Sequence, residues 1–174
     1  HGTTSIFPTL SSSTVPMIEA ACKTCDKLMA EENSPVLGLH LEGPYFNPAQ
    51  AGAQIPEWIK APVAEEYEPL LETYKCLKRW DEAPELPGSV EFITACRKHG
   101  VLPSIGHTRA KYEEVVAAHD AGMTHATHFY NAMPVVYKNR EFKVPGTVES
   151  ILAEKNMTVE VIADGIHVPP VMLR

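Results

Sequence analysis

Three residues of this 174-residue chain occupy corresponding places in separate apolar segments. They are Glu42 in Leu37-Gly38-Leu39-His40-Leu41-Glu42-Gly43-Pro44, His107 after Val101-Leu102-Pro103-Ser104-Ile105-Gly106, and His128 in His125-Ala126-Thr127-His128. Strand alternation puts Gly38, His40 and Glu42 on one face and the leucines on the other, so Glu42 falls at the strand's C-terminal rim. His107 falls just past its strand end and His128 has the same placement, with His125 pointing to the opposite face. One carboxylate and two imidazoles meeting at one rim make a three-ligand site for a divalent metal such as zinc, with a position left for water. Such a metal lowers the pKa of its water towards neutrality and polarises a carbonyl, which is hydrolytic chemistry. Glu-His-His suits iron and cobalt too, so the identity of the metal, and whether one or two are bound, stays open.

A single histidine at a strand end is more often a hydrogen-bonded structural residue; the repetition over three units is what makes the argument. His40 and His125 read as barrel-layer or helix-facing residues with a hydrogen-bonded ring nitrogen, and His99 and His119 as structural or solvated. Cys22-x-x-Cys25 lies on the apolar stripe of a helix without a second pair, which reads as core thiols rather than a redox or zinc motif.

Positioning such a rim requires parallel strands joined by crossovers. Short apolar runs alternate with helical periodicity, which predicts an α/β fold with strands at Thr4–Phe7, Val36–Leu41, Leu77–Asp81, Val101–Ile105, Thr124–Phe129 and Val159–Ala163. No hairpin signal stands between neighbours. Ser13 or Thr14 caps a first helix with Pro16 in its first turn, Ser89 a second ending at Gly100, and Thr108 a third closed by Gly122; Thr147 to Asn156 supplies a fourth. The Pro-, Ala- and Glu-rich stretch from Asn47 to Pro69 reads as an active-site loop followed by a short helix. Pro103 is awkward inside a parallel strand. No Gly-rich phosphate turn follows the first strand, as an open doubly wound sheet would lead one to expect. Polar residues instead gather at C-terminal strand ends, so the expected architecture is a (β/α)8 TIM-type barrel, here incomplete.

Composition narrows the function classes. A net charge of −7 without a basic stripe argues against nucleic acid and anionic membranes as partners. No apolar run reaches the roughly 20 residues of a bilayer span, and no signal-peptide pattern opens the chain, so the expected localisation is cytoplasmic. Four scattered cysteines suit a reducing compartment. With His1 inside a strand approach and Val-Met-Leu-Arg after a Pro-Pro pair, both ends read as cuts in a longer protein.

Four segments, His40-Leu41-Glu42-Gly43-Pro44, Gly106-His107-Thr108, the run from Ala126 to Met133, and Ile162-Ala163-Asp164-Gly165-Ile166-His167, resemble in order and spacing the signature segments of the N-acetylglucosamine-6-phosphate deacetylases of the amidohydrolase superfamily. The resemblance covers essentially the whole chain. It implies barrel strands two to seven, with the first and eighth strands and a β-sandwich built from the termini lying outside residues 1–174. It also implies Glu42, His107 and His128 as metal ligands; Asn131, the Ala132 backbone, Arg140 and Gln54 as substrate contacts, with Arg140 on the phosphate; and His167 as the catalytic histidine that helps polarise the amide carbonyl. An arginine fork suits a phosphate dianion and would let an acidic protein hold an anionic sugar. The family's general acid/base aspartate belongs to the eighth strand, so the chain alone is expected to be inactive or nearly so, with Asp164 serving a local turn. The intact protein is expected to be a homodimer of amino-sugar catabolism. The alternatives are another metal-dependent amidohydrolase, acting on a cyclic amide or acyl-amine, and a non-catalytic sugar-phosphate-binding relative.

Overall fold

The computed structural model describes residues 2–174; His1, read above as part of a strand approach, lies outside the described residues. The order of elements is β1 (Thr9–Ser11), α1 (Val15–Met29), β2 (Leu39–Glu42), α2 (Ala64–Thr73), β3 (Leu77–Glu82), α3 (Ser89–Lys98), β4 (Leu102–Ile105), α4 (Tyr112–Asp120), β5 (His125–Ala126), β6 (Tyr137–Asn139), β7 (Phe142–Val144), α5 (Thr147–Ala153) and β8 (Thr158–Val159). Short 3-10 turns fill Pro48–Gln50, Pro56–Trp58 and Pro170–Leu173.

Six strands form one parallel sheet in the order β1-β2-β3-β4-β5-β8. This is the α/β arrangement the alternation predicts. The sheet is curled: Glu42, at the end of β2, lies 3.2 Å from His128, just past β5. In a flat sheet β3 and β4 between them would hold those strands about 14 Å apart, at about 4.8 Å per step, beyond the joint reach of the two side chains.

The convex face carries the helices and the apolar core. Leu39 and Leu41 point there, buried, while His40 and Glu42 point to the concave side, as alternation requires. Tyr45 stacks on Trp80 with ring centroids 5.5 Å apart, and Phe92 meets both edge-on, fastening α3 to β2 and β3. Burying each of these rings contributes roughly 1.5–3 kcal/mol. The four cysteines, Cys22, Cys25, Cys76 and Cys96, are free and buried inside this core, as expected of packing thiols. A second core, with Ile105, Val115, Met123, Phe129 and Ile151, seats α4 and α5.

Several boundaries differ from expectation. The first strand pairs at Thr9–Ser11, after Pro8; Thr4–Phe7 contributes only an isolated bridge from Ile6 to Val36. The Ser89 side chain donates to Glu82 rather than capping its helix, and the N-cap is Gly88. Thr108 does not open α4, because its hydroxyl is drawn to Glu85. The antiparallel hairpin β6–β7 carries no two-residue Asn-Gly type of turn signal and was not expected. Pro103 pairs with Trp80 on one flank, while on the other β5 begins only opposite Ser104, so its missing N–H costs the ladder nothing there. Among the described residues no helix is long and apolar enough to cross a membrane.

Glu82 is fully buried at the end of β3. Burial pushes its carboxyl up to about 8, helped by the nearby Glu85 charge and opposed by the Ser89 hydrogen bond. Below about 4.5 it is neutral in both the folded and unfolded chain; between about 4.5 and 8 only the unfolded chain has released the proton, so stability is lost as pH rises through that window. The Glu82→Gln variant should therefore show a flatter fall in thermal midpoint than the parent between pH 5 and pH 8 (roughly the two pKa values of this carboxyl), measured by circular dichroism.

Candidate metal and substrate site

The three donors expected from the sequence meet. Glu42 Oε1 lies 3.1 Å from His107 Nε2 and 3.2 Å from His128 Nε2, and the two ring nitrogens are 3.0 Å apart. Glu42 arrives at the end of β2, whereas both histidines leave their strands with left-handed backbone, φ +45° at His107 and +29° at His128. Such φ values are uncommon for non-glycine residues and mark places where the surroundings impose the conformation. They also explain a misplacement. His125 was expected on the face opposite His128, yet both reach the concave side, because the turn at His128 swings its ring back across.

The protonation pattern of the group is constrained. His107 Nδ1 lies 2.8 Å from the Gln50 carbonyl, which can only accept, so Nδ1 carries a proton and Nε2 is the nitrogen turned to Glu42 and His128. Burial alone would raise the Glu42 carboxyl, but hydrogen bonds and charge from the two histidines outweigh it and hold it well below the usual carboxylate range. Burial would likewise lower His128, and the bond to Glu42 reverses this and raises it.

Three acceptors so placed fit a cation. Ligands about 2.0–2.2 Å from a tetrahedral zinc stand roughly 3.3 Å from one another, close to the separations seen here. Glu42, His107 and His128 are the one such cluster of histidine, cysteine and acidic side chains among the described residues.

The donors open into a cleft of about 370 Å³ whose walls include Gln54, Asn131, Ala132 and His167. Gln54 is buried and its Oε1 accepts from the Ser12 amide at 2.8 Å, which leaves its amide nitrogen for other partners. Asn131 donates to the carbonyls of His128 and Phe129, and Ala132 takes φ +51°. His167 is anchored by Asp164, whose Oδ2 lies 2.6 Å from Nδ1 and whose Oδ1 accepts the amides of Ile166 and His167. Those bonds hold the Asp164 carboxyl down at about 2. Asp164 thus serves its own turn, as read from the sequence, and orients His167 as well. Arg140 sits elsewhere, exposed at the tip of the β6–β7 hairpin with φ +54°, and does not line this cleft.

No protein-family model matches the chain. The N-acetylglucosamine-6-phosphate deacetylase of Haemophilus influenzae is 32% identical over 167 residues, 96% of this chain and 42% of the relative. That of Bacillus subtilis is 35% identical over 98% of this chain and 43% of its own length. An N-acetylgalactosamine-6-phosphate deacetylase of Escherichia coli O157:H7 is 34% identical over 98% of this chain and 45% of its own. The crystal structure of the N-acetyl-D-glucosamine-6-phosphate deacetylase of Mycobacterium smegmatis superposes with a TM-score of 0.88 at 30% identity, over 99% of this chain and 44% of that one. Over almost its whole length the chain is similar to the N-acetylglucosamine-6-phosphate deacetylases. It spans less than half the length of these relatives. A mutant of the Mycobacterium smegmatis deacetylase, in complex with N-acetyl-D-glucosamine 6-phosphate, superposes with a TM-score of 0.89.

Beneath the rim of this sheet lies a charged layer, of which the sequence pointed only to His40 and His125. His40 bridges Thr9 Oγ1 at 3.0 Å and Asp81 Oδ2 at 2.8 Å. Arg79 donates from Nε to Asp81 Oδ1 at 3.0 Å and from its two terminal nitrogens to Glu160 and Thr127. His125 completes the layer with Thr158 Oγ1 at 2.7 Å and Glu160 Oε1 at 3.7 Å. The His125 ring 3.7 Å away, opposed by burial and joined by the hydrogen-bonded Arg79, holds the Glu160 carboxyl down at about 2. His40 and His125 therefore lie in a layer on the concave face with bonded ring nitrogens, not packed towards the helices. Arg79 and Asp81 could have been suspected from opposite charges at alternate positions of β3, which put both on one face.

Arg79→Met should expose the importance of this layer. It leaves the fully buried Asp81 without its guanidinium partner, and we expect a loss of about 3 kcal/mol in urea unfolding.

Proposed function

We propose that this chain is the central part of the catalytic barrel of a metal-dependent deacetylase that hydrolyses the acetamido group of an N-acetylhexosamine 6-phosphate, N-acetylglucosamine 6-phosphate in the first instance. The observation that carries the reading is the meeting of a carboxylate oxygen and two imidazole nitrogens, one of them turned into the group by the Gln50 carbonyl, in a chain similar over almost its whole length to N-acetylglucosamine-6-phosphate deacetylases. The curled sheet with unpaired flanks at β1 and β8 supports the view that it forms strands two to seven of a TIM-type barrel, completed in the intact protein by first and eighth strands and a β-sandwich. Buried free thiols fit a reducing cytoplasmic setting, and the intact protein would be a homodimer.

Glu42, His107 and His128 would hold the divalent metal, zinc before iron or cobalt. When bound, it supplies Lewis acidity, acidifying water and polarising an amide carbonyl. The residues of the chain do the rest. His167, fixed through Nδ1 by Asp164, directs Nε2 into the cleft towards the acetyl oxygen. Asn131, the Ala132 backbone and the free amide nitrogen of Gln54 orient the sugar. Arg140 would take the phosphate from the hairpin, flanked by Lys138 and Lys143, which pair across β6 and β7. Water adds to the acetyl carbon and the carbon–nitrogen bond breaks. The amine leaves with a proton from a general acid, giving glucosamine 6-phosphate and acetate. Glu42 is the one carboxylate lining the cleft among the described residues, and it is committed to the histidines. We therefore expect this chain by itself to release little acetate, with the proton carried in the intact protein by an aspartate of the eighth strand.

A second substrate has a specific ground. One relative of similar identity acts, by its name, on the galacto sugar, so the configuration at C4 is open.

The deciding experiment is metal analysis of the purified chain beside a Glu42→Gln/His128→Ala double variant, followed by calorimetric titration with both sugar phosphates. We expect about one metal per parent chain, none in the double variant, and binding of the gluco sugar that weakens at least tenfold, about 1.4 kcal/mol, in Arg140→Ala. Absence of metal from the parent sinks the hydrolase reading and leaves a non-catalytic barrel piece. Retention of sugar-phosphate affinity in Arg140→Ala removes that residue from the phosphate site.

A further inference from the structure

Glu85 stands three residues past β3 and hydrogen-bonds to none of the three donors, yet it accepts three hydrogen bonds from the loops around them. Its Oε1 accepts from Asn47 Nδ2 at 2.8 Å and from the Arg109 amide at 2.6 Å, and its Oε2 accepts from the Thr108 hydroxyl at 2.5 Å. These donors lie on two other loops, those leaving β2 and β4. The Asn47 amide in turn donates to the His107 carbonyl at 3.0 Å, and the Thr108 amide donates to the Ala132 carbonyl at 3.1 Å. Asn47 also caps the turn that contains Gln50, through a 2.9 Å bond from the Ala49 amide, and Gln50 is the residue whose carbonyl fixes the His107 ring. One carboxylate thus closes a hydrogen-bonded circuit through the loops that follow β2, β3 and β4, with a branch to the loop that carries His128.

We propose that Glu85 is a positioning residue for the metal centre: it clamps the loops on both sides of His107 and so sets the affinity of the Glu42–His107–His128 group for a divalent cation. This rests on the metal-site reading above. His107 has a left-handed backbone, which persists only where neighbouring contacts over-determine it. Its carbonyl, its ring Nδ1 and the next residue are each fixed by a partner that Glu85 holds directly or through Asn47. Hydrogen bonds to an ionised carboxylate are about twice as strong as neutral ones, and three converge here. A glutamine at this position would replace one acceptor oxygen with an NH2 group facing donors. Outer residues that orient metal ligands typically change metal affinity about 10–100-fold when replaced.

The test is cobalt(II) titration of the chain, followed by visible absorption and equilibrium dialysis, on the parent, Glu85→Gln, Thr108→Val and Glu114→Ala. Glu114 accepts from the Lys111 amide at 2.7 Å and caps α4 on the same side of the molecule without joining the circuit, so it controls for general loss of stability. We expect Glu85→Gln to bind cobalt about 10–100-fold more weakly, with an altered absorption envelope at saturation, and Thr108→Val to weaken it several-fold. Glu114→Ala should stay within about twofold of the parent. Cobalt affinity in Glu85→Gln within twofold of the parent overturns the proposal, as does an equal loss in Glu114→Ala. If Glu85→Gln does not fold, Thr108→Val decides: parent-like affinity there overturns it. A parent that binds no cobalt removes the metal-site reading itself, and the proposal with it.

Discussion

A carboxylate oxygen and two imidazole nitrogens held within 3.2 Å of each other repel unless positive charge lies among them, and much of this structure serves to keep them there. Sheet curvature brings the end of β2 to the end of β5. Left-handed turns at His107 and His128 then aim the rings inward, against the ordinary preference of the backbone. The Gln50 carbonyl fixes which nitrogen of His107 is turned to Glu42 and His128. None of these devices would be worth its cost in a merely structural histidine.

The charged layer under the rim answers a different need. On the concave face of the curled sheet His40, Arg79, Asp81 and His125, joined at the edge by Glu160, stand where apolar residues usually would. Buried charges are tolerated only when paired and fully hydrogen-bonded. Asp81 meets that condition through two partners, and Arg79 through three. The layer also ties β3 to the segment beyond β8 and to Thr127, immediately before His128, so the floor and the rim are parts of one hydrogen-bonded assembly.

The sequence disclosed the parallel α/β order and the three converging donors because both are local patterns, one periodic and one repeated at strand ends. What it concealed depends on long-range geometry. The first strand slipped beyond Pro8 because pairing with His40 to Glu42, not local propensity, decides its register. Thr108 looked like a helix cap, since nothing in its neighbourhood reveals that Glu85 waits 23 residues upstream to take its hydroxyl. Ser89 was misread for the same reason, with Glu82 the competing acceptor. The His125 misplacement came from extending strand alternation through His128, where a left-handed turn ends it. The hairpin was invisible because Lys138 to Lys143 pair without the glycine that usually announces a tight turn.

The donors that converge at the rim come from residues as many as 86 positions apart. Such a centre cannot form in any local fragment of the chain, and its closure belongs to the last stages of assembly, after the entropy of long loops has been lost. Any ion held by this group would thereby be captured only on completed folding rather than by a nascent segment. During synthesis the chain would pass through a stage in which Glu42 and its strand are ordered while both histidines are still emerging, and a thiophilic or imidazole-seeking ion met at that stage would find no three-donor trap.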